Sequence, residues 1–300
     1  YFKNSALATK AHMQFCISLK DKYPAYSETM WGVTASKGPK GYMVWGGPPP
    51  TMEYPIDGTV VPCSAGGSLP FAPDLTLPAL REMYDKYSEK AWGRYGFLDA
   101  FNPNTGWVAD GYIGIDMGAL LLMIENHRTG KVWEWFMDNP EIDRAMNRAG
   151  FKETGRDLDK ADIEYLRKLA KDTWACIGYF INPETGLPYD SSSRGEFTSV
   201  TNIGLYLAAL AAAREMGFIT PEEASARAAQ VLGSVEQFPT WKGFAQCWHG
   251  TAHLKPSIND PWVSVVDTGN LALSLVVAAQ AFPELADRCQ KIVKAMDWAA

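Results

Sequence analysis

The feature that most constrains this chain is the run of helical periodicity that begins near Asp159 and continues to the carboxy-terminal end. Apolar residues recur at steps of three and four through ADIEYLRKLAKDTWACIGYFI, SVTNIGLYLAALAAAREMG, TPEEASARAAQVLGSVEQF, DTGNLALSLVVAAQAF and PELADRCQKIVKAMDW, with Gly, Pro and Asn at the stops. The third segment carries a complete helix start: Thr220 as N-cap, Pro221 at the first helical position and Glu223 three residues after the cap. Helices of roughly 15–20 residues separated by loops suit a toroid of helix pairs or a solenoid better than a short bundle.

The first half differs. Helices are predicted near 5–22, 77–87 and 117–126, separated by long loops rich in Gly, Pro and aromatics such as WGVTASKGPKGYMVWGGPPP and FNPNTGWVADGYIGID. Loops of that length inside a compact domain usually carry function. No segment shows sustained strand alternation, and the only repetition is the helix–loop–helix rhythm.

Composition narrows the class of protein. With 300 residues, 47% hydrophobic and 21% charged, the chain can bury a sizeable core as one large domain or two small ones. The formal charge of −6 is spread along the chain and no Lys/Arg cluster could neutralise a run of phosphates, so nucleic acid is not an expected partner. The most apolar window, LALSLVVAAQAF at 271–282, is too short and too interrupted to cross a bilayer, so no membrane insertion is expected. Cys16, Cys63, Cys176, Cys247 and Cys289 form no CxxC pair and are expected to be buried free thiols rather than zinc ligands or disulfides. Because the chain opens at Tyr1 without a methionine or a signal peptide, it is expected to be a processed or trimmed product.

Chemistry is suggested by the loops. Trp31, Tyr42, Trp45, Tyr95, Phe97, Phe101, Trp107 and Tyr112 stand beside Gly, Pro, Asp or Asn, and aromatic faces of this kind pack on the C–H face of a sugar ring while carboxylates bond its hydroxyls. The same residue types equally fill a core. Glu28, Asp57, Asp99, Asp110, Asp116 and Glu125 supply carboxylates in or beside these loops, and glycoside hydrolysis needs two, one as acid and one as base or nucleophile. On spacing alone Asp116 reads first as a helix cap ahead of MGALLLMIEN. His249 and His253 are four apart, but Gly250 and the lack of a third ligand favour a structural or sugar-contacting role, so no metal is expected. No GxSxG elbow, phosphate-binding glycine loop or dinucleotide fingerprint is present, and no cofactor is expected.

The run YGFLDAFNPNTGWVADGYIGIDMGALLLMIENHRTGKVWEWFMDNPEI resembles the glycoamylase-like family, which includes bacterial endo-β-1,2-glucanases. The resemblance extends upstream through NSALATKAHMQFC, WGVTASKGPKGY, DGTVVP and SLPFAPD, so that residues 1–152 resemble the carboxy-terminal half of that family's toroid. Residues 159–300 resemble its amino-terminal half, through DTWACIGYFINPETGLPYD, SVTNIGLYLAAL, ITPEEASARAAQVL and SVVDTGNLALSL. The implied fold is all-α, a single (α/α)6 toroid over 1–300, incomplete or circularly permuted, with the junction at 151–159. A toroid tolerates permutation because its ends are close in space. The segment that joins the halves in the family, home of a catalytic acid in a Tyr-Ser-Glu motif, would follow Trp298 and precede Tyr1. The YSE at 26–28 stands elsewhere in the pattern and is not equated with it.

For the site, the resemblance implies a catalytic role for Asp116, as general base, and for Asp267, in VVDTG, near the sugar cleft. Glu28, Trp31, Tyr42, Asp99, Trp107 and His249 are the expected substrate contacts. An inverting pair would stand roughly 6.5–9.5 Å apart around a water. The expected activity is hydrolysis of a bacterial glucan, β-1,2-glucan foremost, with a transglycosylase on the same sugar or a glycan-binding protein without its acid as the alternatives. The expected partner is an oligo- or polysaccharide and the expected compartment periplasmic or extracellular; the oligomeric state stays open.

Overall fold

The computed structural model describes residues 2–46, 55–150, 163–192, 196–257 and 262–298. The expected junction at 151–159 lies outside them. In chain order the elements are α1 (Phe2–Ser18), β1 (Ser36–Gly38), β2 (Gly41–Met43), α2 (Pro62–Gly66), α3 (Pro73–Ala91), β3 (Trp92–Gly93), β4 (Gly96–Phe97), β5 (Phe101–Asn102), β6 (Trp107–Val108), α4 (Gly114–Arg128), α5 (Lys131–Met137), α6 (Pro140–Ala149) and α7 (Ile163–Tyr179). There follow β7 (Phe197–Ser199), α8 (Val200–Glu215), α9 (Pro221–Val235), β8 (Thr240–Trp241), β9 (Phe244–Ala245), β10 (Trp248–Gly250), α10 (Val265–Ala281), a 3-10 turn (Pro283–Leu285) and α11 (Ala286–Ala295). The chain divides into two compact units, Tyr1–His127 with Leu158–Cys176, and Arg128–Asp157 with Ile177–Ala300.

In the first unit the long loops are not structureless. They fold into antiparallel two-stranded hairpins, β1 with β2, β3 with β4, and β5 with β6. Strands of two or three residues are too short to show alternation, which is why periodicity did not predict them. Asparagines lock the turns: Asn102 Oδ1 accepts from the amides of Asn104 and Thr105 at 3.0 and 3.2 Å, while its Nδ2 donates to the Asp57 carbonyl at 3.0 Å. Asn104 in turn accepts from the Ala25 amide at 3.0 Å. These side chains substitute for backbone partners that a tight turn cannot supply. At Gly66 a Cβ would overlap Leu120 Cδ1, so α2 and α4 approach closely there and an added side chain would have to displace that leucine.

The second unit is built around α8, whose residues Ile203, Leu207, Ala208, Ala209, Leu210 and Ala211 are all buried. Its alanines let neighbouring helices approach closely, and at Gly204 a Cβ would come within 2.9 Å of the Leu271 Cα on α10. The expected cap of α9 is present, with Thr220 Oγ1 accepting from the Glu223 amide at 3.1 Å. Serines cap its neighbours in the same way: Ser199 accepts from Asn202 at the start of α8 and Ser264 from Asp267 at the start of α10, each at 3.1 Å. All five cysteines are free and buried, as expected. Among the described residues no helix is long and apolar enough to cross a membrane.

Candidate active site

Asp99 lies between β4 and β5, where its amide donates to the Gly111 carbonyl at 3.0 Å. The flanking hairpins hold it rigidly: Ala109 donates to the Ala100 carbonyl at 2.8 Å, and Val60 and Phe101 exchange two backbone bonds. The resulting side chain is 1% exposed. The WGVTASK segment crosses the start of α2, with Gly32 at φ +113° and its carbonyl accepting from Val61 at 2.9 Å. Ser64 bonds the Val33 carbonyl, and Trp45 Nε1 donates to Ser36 Oγ at 2.9 Å. This route delivers the Lys37 amide to Asp99 Oδ2 at 2.6 Å. It also leaves the Lys37 side chain largely covered, with Nζ 2.9 Å from the exposed Asp110 carboxylate. That ion pair holds Asp110 below the usual carboxylate range.

Asp116 is brought to the same place by α4. The helix starts at Gly114, so Asp116 is its third residue and not its N-cap, which corrects the expectation drawn from spacing. Its carboxyl lies within hydrogen-bonding reach of Asp99. Asp99 Oδ1 is buried and accepts from no donor among the described residues. The thiol of Cys63, on α2, bonds Asp116; burial, then the two carboxyls, pushes that thiol well above its ordinary value, so it is a neutral donor. Asp99 is itself raised, chiefly by burial, and the bonds from Asp116 and Lys37 oppose that rise. Two ionised carboxylates at hydrogen-bond separation, about 3 Å, would repel by roughly 5 kcal/mol at an effective dielectric near 20. One proton shared by the pair removes most of that cost, and the first turn of α4 favours the remaining negative charge.

Asp267 is also the third residue of its helix, but in the second unit and in different company. Its Oδ1 accepts from Thr201 Oγ1 at 2.6 Å, and Asn270 Nδ2 donates to the same hydroxyl at 3.3 Å. Nearby along the chain, Trp262, Val265 and Val266 are exposed.

The remaining expected residues divide by exposure. Tyr42 in β2 is 66% exposed, Glu28 lies exposed in the Ser27–Met30 turn, and Trp107 is half-buried opposite Asn102. Trp31 and His249 are both 0% exposed, so neither offers a ring face to a sugar as folded here. Trp31 packs edge-on against His12, whose pKa burial lowers and whose Nε2 accepts from the Val33 amide at 3.1 Å. His249 stacks on Phe238 at 3.7 Å, and its two nitrogens lie 3.3 and 3.1 Å from the Leu254 and Gln246 carbonyls. Burial lowers its pKa as well. Asp99, only 1% exposed, presents little of its carboxyl to solvent as folded here. Lys37 and Cys63 were not anticipated: Lys37 acts through a backbone amide, which leaves no residue signature, and Cys63 looked like any core thiol.

Residues 1–140, which hold this whole cluster, match the glycoamylase family model. That match covers just under half of the chain. Residues 168–300 match a second family, DUF3131, of unknown function. Among curated proteins the chain is 34% identical over 148 residues to an exo β-1,2-glucooligosaccharide sophorohydrolase of Parabacteroides distasonis, covering 49% of this chain and 20% of that protein. It is 35% identical over 132 residues to the cyclic β-(1,2)-glucan synthase NdvB of Rhizobium meliloti, covering 42% of this chain and 5% of that protein. The chain thus spans a fifth or less of the length of these relatives. An inactive variant of an α-1,6-mannanase of Salegentibacter, solved with α-1,6-mannotriose, superposes with a TM-score of 0.52 at 9% identity, over 98% of this chain and 70% of that one. That likeness shows the fold, which is all-α and of the (α/α) toroid type outside the glycoamylase-family match as well as within it.

Proposed function

We propose that this chain carries part of the catalytic machinery of a glycoside hydrolase acting on β-1,2-glucan, with Asp116 as general base. The observation that supports this most is the position of Asp116: a carboxyl at the head of α4, inside the segment that matches the glycoamylase family model, paired with a second buried carboxyl instead of capping its helix. A base must be held at fixed geometry and kept from strong cations that would quench it. Asp99 supplies the geometry, and the nearby ammonium of Lys37 is drawn off by Asp110. Asp267 is assigned to substrate hydroxyls, as a half-buried acceptor already bonded to a neutral hydroxyl. The exposed Tyr42 ring and half-buried Trp107 are assigned to sugar stacking. The linkage follows the sophorohydrolase relative, and a periplasmic or extracellular setting follows from a polymeric substrate.

The match to a cyclic glucan synthase favours one second reading, transfer of the cleaved glucan to another sugar instead of to water. Incubation with linear β-1,2-glucan separates the readings. New reducing ends in proportion to bonds cut support hydrolysis. Longer or cyclic products without new reducing ends support transfer, and retained binding without product rejects both in favour of a glycan-binding protein.

A further inference from the structure

We propose that Asp99 is the positioning residue of this site: clamped by the Lys37 amide on one side, its buried carboxyl shares a single proton with Asp116 on the other, so the pair works as a dyad of one negative charge. The catalytic consequence rests on the reading of Asp116 as general base; the dyad itself does not.

The geometry carries this in three steps. The Asp99 backbone is tied to Gly111, and Asp99 Oδ2 is occupied at 2.6 Å by the Lys37 amide, so the carboxyl plane has little freedom left. Its other oxygen, Oδ1, is buried and accepts from no donor among the described residues, and the Asp116 carboxyl lies within hydrogen-bonding reach of Asp99. Between two carboxyls a hydrogen bond requires one proton, because an ionised carboxylate is acceptor only. The charged and titratable groups that face the pair among the described residues include Lys37 from β1, with Asp110 drawing its ammonium outward, and the neutral thiol of Cys63 from α2. None of them supplies a proton as readily as the partner carboxyl does. A shared proton of this kind gives both groups two-step titration curves that belong to the pair.

The test has one arm that needs no substrate. Carboxyl carbon NMR of the wild-type chain, titrated from pH 3 to 9 with Asp99 and Asp116 assigned by through-bond correlation to their backbone resonances, is expected to show two coupled inflections at both residues. Independent single-step curves would overturn the dyad. The kinetic arm uses linear β-1,2-glucan. Asp99→Asn, whose amide can still donate to Asp116, is expected to lower kcat ten- to a hundredfold with KM within twofold, to convert the Asp116 titration to a single step, and to remove one transition from the pH–rate profile. Asp99→Glu is expected to recover the second titration step in part. A tenfold rise in KM at unchanged kcat would make Asp99 a sugar contact and reject the positioning role. If the wild type has no turnover, the hydrolase reading fails alone, and the wild-type titration still decides the dyad, whether or not a variant folds.

Discussion

Asp116 and Asp267 occupy the same position in their helices and do different things with it. Each is the third residue of a long helix, where the orphan amides and the helix dipole favour a negative charge. At α10 the arrangement is closed in the ordinary way, with Ser264 capping the Asp267 amide and Thr201 donating to the Asp267 carboxylate. At α4 the preceding residue is Ile113, whose side chain can accept nothing, and the carboxyl of Asp116 meets another carboxyl and a thiol. A helix start satisfied by neutral hydroxyls is a stable terminus. A helix start at which two acids share a proton has titration behaviour shifted away from that of isolated carboxyls, and such groups concentrate at sites of proton transfer.

The largest expected effect tests that contrast directly. Asp116→Asn is expected to lower kcat on linear β-1,2-glucan by about 10²–10⁴-fold, the usual contribution of a general base, while the melting temperature stays within a few degrees. Asp267→Asn is expected to cost about tenfold or less, mostly in KM. Equal losses in kcat would erase the distinction between the two termini, and an unfolded Asp116→Asn that keeps its specific activity would reduce Asp116 to a structural residue.

Next in size is the hydroxyl that serves Asp267. Thr201→Val keeps the volume and removes the donor, leaving a half-buried carboxylate short of one partner, which is expected to cost about 1–3 kcal/mol of stability. Chemical denaturation would measure it. No loss would mean that water replaces the hydroxyl freely and that this terminus is as open as the other.

The helical half was legible because its signals are local. The N-cap and proline of α9 and the apolar spacing of α8 and α10 are read within one or two turns, and their boundaries fell within a few residues of those expected. The carboxyl pair was legible only as two members of a list. Asp99 and Asp116 are joined by hairpins of two-residue strands set by Asn102 and Asn104 through contacts reaching back to Ala25, Asp57 and Gly58, and nothing in local spacing encodes such closures. The helix start was misplaced for a similar reason. Gly114 is a poor helix former, so the helix appeared to begin after Asp116 instead of before it. Burial misled at Trp31 and His249, since an aromatic in a glycine-rich loop reads alike whether its face is open or packed.

A smaller effect reads the acid pair through stability. Burial raises Asp99 in the folded chain above its unfolded value near 3.9, so folding favours its protonated form. Its contribution to stability is therefore full at low pH and is lost as pH rises from the unfolded value through the raised folded one. Asp99→Asn carries no such titration. The melting temperature of Asp99→Asn relative to wild type is expected to climb across that window and then level off. A gap independent of pH would mean that Asp99 titrates alike in the folded and unfolded chain, with burial offset by the bonds that oppose it.

The smallest effect belongs to the closed terminus. Ser264→Ala removes the side chain that accepts from the Asp267 amide and is expected to cost about 1 kcal/mol, typical of a lost N-cap. Thr220→Ala at α9 should cost the same, because the geometry is the same and no carboxylate chemistry is proposed there. If both variants lose equal stability and keep wild-type kcat below their melting temperatures, the start of α10 is a scaffold that presents Asp267. If Ser264→Ala alone also loses kcat, the orientation of Asp267 enters the chemical step, and α10 then resembles α4 more closely than its hydrogen bonds suggest.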